Sequence, residues 1–353
     1  MSRPRYKAPS SEDIFDRQFL IKDQYDNVVV NDDGVELVGA VLDNDSIVKR
    51  NLGKVAYGAE LAAGIEQLLH PEIGAAVETT GKFWRNPYKR VAVSMNPIMA
   101  VVYADDPYAA GLYVRRLHEG VRGSTVDGYQ FNALSEDAFY WAHVTFHKGV
   151  ANTVEHYSRR PFTDADREQL QLESNTWYSY YSMPMHMVPA DNEAYEAYRH
   201  EMIESTLDSN PSAGRAIEMA LRRNPPRPEN VPKNVWRLAK AAIAPVSEVV
   251  SLVTIGEIDP KIREKFGIPF SAEDQKRLDE IHTIAQAFVD PLPDPLRYSP
   301  MAYESLLRER NGEHKTTIDK AIHQGFALGS SAAKATVIPL FNRMQSGSQK
   351  KAA

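Results

Sequence analysis

Apolar residues recur along most of this chain every three to four positions, the spacing that places them on one face of an α-helix. The clearest helix lies in DDPYAAGLYVRRLHEGVRG, where Asp106 suits the N-cap and Pro107 the first helical position. Gly123 is expected to end that helix. A second helix is expected to begin near Ser135, within LSEDAFYWAHVTFHKGVANTVEHY. The pattern therefore predicts an all-α protein.

Two local signals add detail to this helical pattern. Thr163 and Asp166 have the spacing of a capping box and predict the start of a third helix. The stretch NVVVNDDGVELVGAV, residues 27–41, is the one plausible β-hairpin, with Asp33-Gly34 as its turn. Strand-like alternation is otherwise sparse, so the prediction remains a helical fold.

The 353 residues are expected to form a single large domain with five segments. Four prolines in RRNPPRPENVPKN indicate a connection between two helical parts of that domain. The segments are a partly irregular N-terminal extension (1–50), a helical core (51–221), the Pro-rich connection (222–234), a C-terminal helical part (235–342) and a disordered tail (343–353).

Composition excludes several classes of function. A formal net charge of -6 argues against a nucleic-acid partner bound through a basic face. The absence of cysteine excludes thiolate catalysis, iron–sulfur clusters and zinc-thiolate sites. No run approaches the roughly 18 uninterrupted apolar residues of a transmembrane segment. The first residues are polar, without an apolar signal-peptide core, so a cytoplasmic protein is expected. Signature loops of NTPases, α/β-hydrolases and dinucleotide-binding enzymes are missing.

His118, in YVRRLHEGVRG, lies beside the apolar stripe of the first helix. That stripe is expected to face the core and consists of Ala110, Tyr113, Val114, Leu117 and Val121. A lone histidine in such a place is usually a packed side chain, and the neighbouring arginines could be a solvated face. Haem, however, needs an imidazole on its iron, an apolar slot for the porphyrin and cations for two propionates. A helix with His118 and Arg115, Arg116 and Arg122 nearby can supply all three.

His143 and His147 form a rival pair, one helical turn apart. Two imidazoles at this spacing can bind zinc or iron directly, with a carboxylate as third ligand. Glu136 and Glu155 flank the pair, but neither completes a recognised spacing such as H-E-x-x-H. Aromatic core packing is the favoured role of this helix.

A series of landmarks extends from residue 61 to residue 306, about two thirds of the chain. In order they are LLHPEIGAAVE (68–78), RNPYKRVAVS (85–94), VRRLHEGVRG (114–123), WAH (141–143), YSRRPFTDADREQLQLE (157–173), MPMHMVPADNEAYEAY (183–198) and PLRYSPMAYES (295–305). The order and spacing of these landmarks resemble the MpaB-type oxygenases, the family that also contains the catalytic domain of rubber oxygenase (latex clearing protein).

The resemblance implies a mostly helical protein with a globin-like core that binds haem b. It also implies dioxygen as co-substrate and a lipophilic, isoprenoid or otherwise unsaturated, substrate. In the family the proximal haem histidine lies in a V-R-x-x-H-x-x-V-R context, which places it at His118 as the iron ligand. Arg90 and Ser94 match an arginine and a hydroxyl residue that line the haem pocket in rubber oxygenases.

Other roles follow from the same resemblance. Arg90, Arg115, Arg116 and Arg122 are candidates to neutralise the haem propionates, while His143 would support the haem helix as part of the cofactor-binding set. Glu78 is the nearest candidate for the catalytic glutamate of the rubber enzymes. The alternative for Glu78 is a surface role.

The chain departs from the rubber oxygenase pattern at one position. Val93 stands where that pattern has a lysine able to occupy the sixth iron position. The alternatives left open are a non-haem metalloenzyme built on His143 and His147, a haem-binding protein without turnover, and a fold that has lost its cofactor. The oligomeric state and the identity of the substrate are also open.

Overall fold

Helices make up most of the computed structural model, which describes residues 17–59, 61–85, 87–222, 227 and 231–312. The all-α prediction is confirmed. The helices are α1 (Ile47–Asn51), α2 (Leu61–Leu68), α3 (Pro71–Thr80), α4 (Lys82–Arg85), α5 (Pro87–Tyr103), α6 (Pro107–His118), α7 (Glu136–Tyr157), α8 (Asp164–Ser179), α9 (Asn192–Glu201), α10 (Pro211–Leu221), α11 (Lys233–Gly256), α12 (Pro260–Lys265), α13 (Ala272–Phe288), α14 (Asp294–Arg297) and α15 (Pro300–Asn311). A 3-10 turn at Val55–Ala59 and a π-helical turn at Met202–Thr206 complete the helical elements.

Side-chain capping fixes the starts of two of the three helices that the sequence predicts, and the third begins at Glu136, directly after Ser135. The Asp106 carboxylate accepts a hydrogen bond from the Ala109 N–H, at 2.9 Å, and Pro107 follows at the first helical position of α6. Thr163 and Asp166 form the expected reciprocal capping box at the start of α8. These three predictions are confirmed, because each depends only on residues within one turn.

The predicted end of α6 is wrong. The helix stops at His118, and Gly123 lies instead in a strand, β3 (Arg122–Ser124). This strand pairs antiparallel with β4 (Gln130–Asn132), with Gly123 opposite Phe131. The phenyl ring of Phe131 lies over the position that a Cβ at Gly123 would occupy, 3.2 Å from its nearest ring atom. The glycine therefore serves strand packing and not a helix cap.

The N-terminal hairpin is partly as predicted. Gly34 has a φ of +76°, which glycine adopts without strain, and the Asn31 N–H donates to the Val35 carbonyl across the Asp33-Gly34 turn. The longer pairing, however, is between β1 (Gln18–Leu20) and β2 (Val38–Ala40). The turn is local and was readable from sequence, whereas the partner strand was not.

The core is built around α7, which packs against α2, α8 and α13. Its largest fully buried side chains include Trp141 on α7 and Trp177 and Tyr178 on α8. Helix α5 packs along α6 and also against α15, near the C-terminal end of the described chain. Gly111 permits the close approach of α6 to the turn after α8, since a Cβ there would lie 1.9 Å from the Tyr180 carbonyl oxygen.

The Pro-rich segment lies between α10, which ends at Leu221, and α11, which begins at Lys233. Residues 313–353, which include the predicted tail, lie outside the described residues. None of the described helices combines the length and the apolar character needed to cross a membrane bilayer.

Candidate functional site

His118 is the last residue of α6, and its ring is half-buried. Its Nδ1 lies 2.8 Å from the Val114 carbonyl oxygen, one turn earlier in the helix. A carbonyl oxygen can only accept, so Nδ1 carries the proton and Nε2 keeps its lone pair. The Phe139 ring stands edge-on to the imidazole, with 5.7 Å between the two ring centroids. The helix thus holds one imidazole nitrogen as a donor and leaves the second available as a ligand.

The electrostatics favour the neutral form of this imidazole. Burial lowers the pKa of His118, and the positive charge of Arg90 on α5 lowers it further, while the Val114 hydrogen bond acts in the opposite direction. Arg90 acts on the imidazole from α5, the helix that packs along α6. A neutral imidazole at neutral pH is the form that binds a metal.

Three apolar side chains that neighbour Arg90 and His118 along their helices are exposed to solvent. Val91 and Val93 on α5 and Leu117 on α6 are each at least 39% exposed, although Leu117 belongs to the stripe that the sequence placed towards the core. Ser94 is half-buried, one turn after Arg90 on the same helix. Exposed apolar side chains on two neighbouring helices are what a flat, apolar group would cover.

The other predicted arginines occupy different positions. Arg115 is half-buried, and its guanidinium donates to the Ser182 carbonyl at 2.5 Å. Arg116 is exposed and precedes His118 by two residues, which is about 200° around the helix, so it is directed away from the imidazole. Arg122 is exposed on β3, four residues beyond His118. Of the three, Arg115 lies on the same side of α6 as His118, three residues before it, and Arg122 follows four residues after it on β3.

Glu78 is engaged in contacts that hold α3 against α10. Its carboxylate accepts a hydrogen bond from the Ser212 hydroxyl at 2.8 Å and lies 3.1 Å from the Arg215 guanidinium. The Arg215 group also lies over the Trp84 ring, 4.8 Å from its centroid. These contacts are the ones expected of a structural ion pair at the surface of two helices.

His143 and His147 are both buried, but they face different neighbours. His143 Nε2 lies 2.9 Å from the Ser174 hydroxyl, and its ring stands edge-on to Trp177. The His147 ring stacks on Tyr195 at 4.1 Å. Burial lowers the pKa of His143 to about 3 and that of His147 well below its ordinary value, so both remain neutral. Among the described residues, no carboxylate or third imidazole converges with them on one point.

His143 lies behind His118 through a chain of rings. Phe139 contacts His118, Tyr181 contacts Phe139 at 5.4 Å, and His143 contacts Tyr181 at 6.0 Å. It therefore occupies an inner layer of the aromatic core, at a position from which it can support the His118 region only through other side chains.

The structure also brings together three donors that the sequence did not single out. Within the described part of the chain, His156, Glu257 and His282 are the one group of three or more potential ligands whose donor atoms lie within 4.8 Å of one another. They are separated by 101 and 25 positions along the chain, so no local spacing motif could have identified them.

These features define a predominantly helical protein that presents an available imidazole nitrogen at the end of α6, with exposed apolar side chains on α5 and α6. The chain matches the family model for the ER-bound oxygenase mpaB/B'/Rubber oxygenase, catalytic domain, over residues 50–287. That match covers about two thirds of the chain, and the protein belongs to this family of oxygenase catalytic domains, as its landmarks predict. No curated protein and no solved structure matches the chain.

Proposed function

We propose that this protein is a haem b-dependent oxygenase that uses dioxygen on a lipophilic, unsaturated substrate. Membership of the oxygenase family supports the class of reaction. The observation that carries the haem assignment is the state of His118, whose Nδ1 donates to the Val114 carbonyl and whose Nε2 is left as a ligand.

The residues present fit a haem on two counts. The tautomer of His118 is fixed by a backbone carbonyl, which is the usual outer partner of a metal-ligating histidine. Arg90 supplies a positive charge near the imidazole, as a propionate requires. His118 Nε2 would hold the iron, and Arg90, with Arg115 or Arg122, would bind the propionates. Bound haem would supply the iron-centred redox chemistry that activates dioxygen.

The remaining predicted residues have distinct roles in this proposal. Val91, Val93 and Leu117 would exclude water from the reacting centre and contact an apolar substrate. The Ser94 hydroxyl would donate a hydrogen bond to dioxygen or to an oxygen atom of the substrate. Glu78 is given no catalytic role, because its carboxylate is already engaged by Ser212 and Arg215.

The haem assignment is tested by absorption spectroscopy of protein purified from haem-supplemented cells. We expect a Soret band from the unchanged chain and its loss in His118→Ala. The matched control is His186→Ala, which removes a partly exposed imidazole that pairs with Asp32 and Glu136 and should keep the band. A band that His118→Ala leaves unchanged would contradict the assignment.

Turnover is tested separately from binding. The haem-loaded protein is incubated with unsaturated isoprenoid chains of several lengths, and dioxygen uptake is measured with an oxygen electrode. Uptake that depends on His118 and on the olefin supports an oxygenase. A red-brown protein that consumes no dioxygen with any olefin would indicate a haem-binding protein without turnover.

A further inference from the structure

The side chains of His156, Glu257 and His282 meet where the end of α7, the end of α11 and the last third of α13 come together. His156 Nδ1 lies 2.9 Å from both carboxylate oxygens of Glu257, and His282 Nε2 lies 2.9 Å from Glu257 Oε1. The two imidazole rings stack with 4.4 Å between centroids and 6° between planes. One carboxylate and two imidazoles thus bring potential ligand atoms within 4.8 Å of one another.

The buried negative charge of the Glu257 carboxylate is faced by two imidazoles and, among the described residues, by no lysine or arginine side chain. Its side chain is 1% exposed, yet the described chain offers it no lysine or arginine within ion-pairing distance. Lys148 is close, but its amine is directed to the Glu66 carboxylate and to the Glu257 backbone carbonyl. Arg263 donates to backbone carbonyls instead. A buried carboxylate in this setting needs a cation, and the imidazoles alone face it.

His282 gives a second indication. His282 is only 8% exposed. Its Nε2 lies near Glu257 Oε1 but makes no hydrogen bond of acceptable geometry. A buried imidazole nitrogen that is close to a carboxylate but not aligned with it is suited to a shared metal ion.

The donor spacing is compatible with a first-row metal. Donors bound at about 2.0–2.2 Å in a tetrahedron lie about 3.3–3.6 Å apart. The observed histidine–carboxylate separations of 2.9 Å are shorter than this, so binding of an ion would move these donors apart by about 0.4–0.7 Å. His156 is the most open member, with its side chain 29% exposed, so solvent can reach the remaining coordination positions. Two histidines and one carboxylate with open positions form a recurrent set for zinc and ferrous iron.

The three helices are held in place without the triad. Gly256 allows α11 to approach α13, since a Cβ there would lie 2.3 Å from a methyl carbon of Leu278. Arg159, just after α7, donates to the carbonyls of Gln286 and Ala287 on α13. The ligands therefore project from a rigid frame, which preserves their geometry when one of them is replaced.

We propose that His156, Glu257 and His282 form a binding site for one divalent first-row transition metal ion, separate from the haem site. Phe139, which contacts His118, and His156 are 17 residues apart on α7, which corresponds to about 25 Å along the helix. The metal clamps the ends of α7, α11 and α13 and keeps an open position on the His156 side.

The test uses the full chain, stripped with a chelator and dialysed against Zn²⁺ or Co²⁺. We expect one tightly bound equivalent, an increase in melting temperature with Zn²⁺, and visible Co²⁺ absorption of a low-symmetry nitrogen–oxygen site. His156→Ala and Glu257→Gln should each weaken binding by more than about 100-fold, because loss of even an outer-shell partner costs about 10–100-fold. His156 lies at the open edge, so its replacement keeps the proposal testable if Glu257→Gln fails to fold.

Two control variants sharpen the result. His186→Ala removes an imidazole whose two nitrogens face Asp32 and Glu136 on opposite sides, so these carboxylates cannot share one ion with it; metal binding should be unchanged. His118→Ala should lose the Soret band and keep the metal, which separates this proposal from the haem assignment. The metal-site proposal would be overturned if the unchanged chain bound no tight equivalent of metal. It would also be overturned if His156→Ala and Glu257→Gln bound metal as tightly as the unchanged chain. A third contrary result would be a protein that is stabilised at low pH and whose melting temperature does not respond to Zn²⁺. That result would indicate a proton shared by the three side chains in place of a metal ion.

Discussion

At the scale of single residues, Glu173 is a fully buried carboxylate with a structural task. Its two oxygens accept hydrogen bonds from the Ile47 and Val48 N–H groups, at 3.0 and 2.7 Å, and so cap the start of α1. The Gln169 amide donates a third hydrogen bond. Burial nevertheless outweighs these contacts and raises the pKa of Glu173 to about 7.

This shift predicts a pH-dependent stability. The folded protein binds the Glu173 proton more tightly than the unfolded chain, so its contribution is full below about pH 4.5 and is lost as the pH rises through 7. Glu173→Gln should be about 1 kcal/mol less stable at pH 5, because an amide nitrogen cannot accept from a backbone N–H. Between pH 5 and pH 8 the stability deficit of Glu173→Gln should shrink or reverse, with a total change on the order of 1–3 kcal/mol.

Urea unfolding of both proteins at pH 5 and pH 8 measures this difference. Other titrating groups are common to the two chains, so their effects cancel in the comparison. A deficit that is constant or that widens towards pH 8 would mean that Glu173 is ionised in the folded protein.

At the scale of elements, the position of α6 decides where His118 lies. Gly111 is buried in the face of α6 that meets the turn after α8, and a Cβ there would lie 1.9 Å from the Tyr180 carbonyl oxygen. A backbone atom cannot rotate away as a side chain can. The contact therefore sets the distance of the whole helix from the core.

Gly111→Ala should displace α6 and lower the free energy of unfolding by about 1–3 kcal/mol through overpacking. Because His118 lies two turns further along the same helix, the variant should also take up haem more weakly, as measured by haem titration of the Soret band. Gly214→Ala is the matched control: it is helical, with open space around its Cβ position, and should be neutral or slightly stabilising. Equal behaviour of the two variants would contradict this role of Gly111.

At the scale of the whole molecule, α15, at the end of the described chain, is bound to α5 and α1 in its N-terminal half. Arg308, with its side chain 6% exposed, donates to the Asp105 carboxylate at 2.6 Å and to the Tyr103 carbonyl at 2.8 Å, both at the end of α5. The Lys49 amine, on α1, lies 2.5 Å from the Glu309 carboxylate. The two helical parts on either side of the Pro-rich connection should therefore unfold together.

Arg308→Ala should lower the free energy of unfolding by about 2–4 kcal/mol, because it leaves Asp105 and a buried carbonyl without their donor. Unfolding followed by circular dichroism and by tryptophan fluorescence should remain a single coincident transition. Arg310→Ala, on the same helix but with its side chain 58% exposed, should change stability by less than about 1 kcal/mol. Separate transitions for the two probes would show that the C-terminal part unfolds independently.

Sequence patterns predicted the parts of this fold that depend on near neighbours. Asp106 and Pro107 begin α6, and Thr163 begins α8, because capping involves only the adjacent turn. The prediction for Leu117 failed: the stripe placed it towards the core, but it is 49% exposed. Periodicity gives the apolar face of a helix and not the extent to which neighbouring elements cover it.

For the sites, the chain alone determined the family and the candidate imidazole at His118, since both are encoded in ordered local motifs. Tertiary structure decided which neighbours meet: it packed α5, which carries Arg90, along α6, which carries His118. It also enclosed His143 among aromatic rings and assembled His156, Glu257 and His282 from three helices. The physical reason is that capping and periodicity act over one or two turns, whereas convergence of distant side chains depends on how whole helices pack.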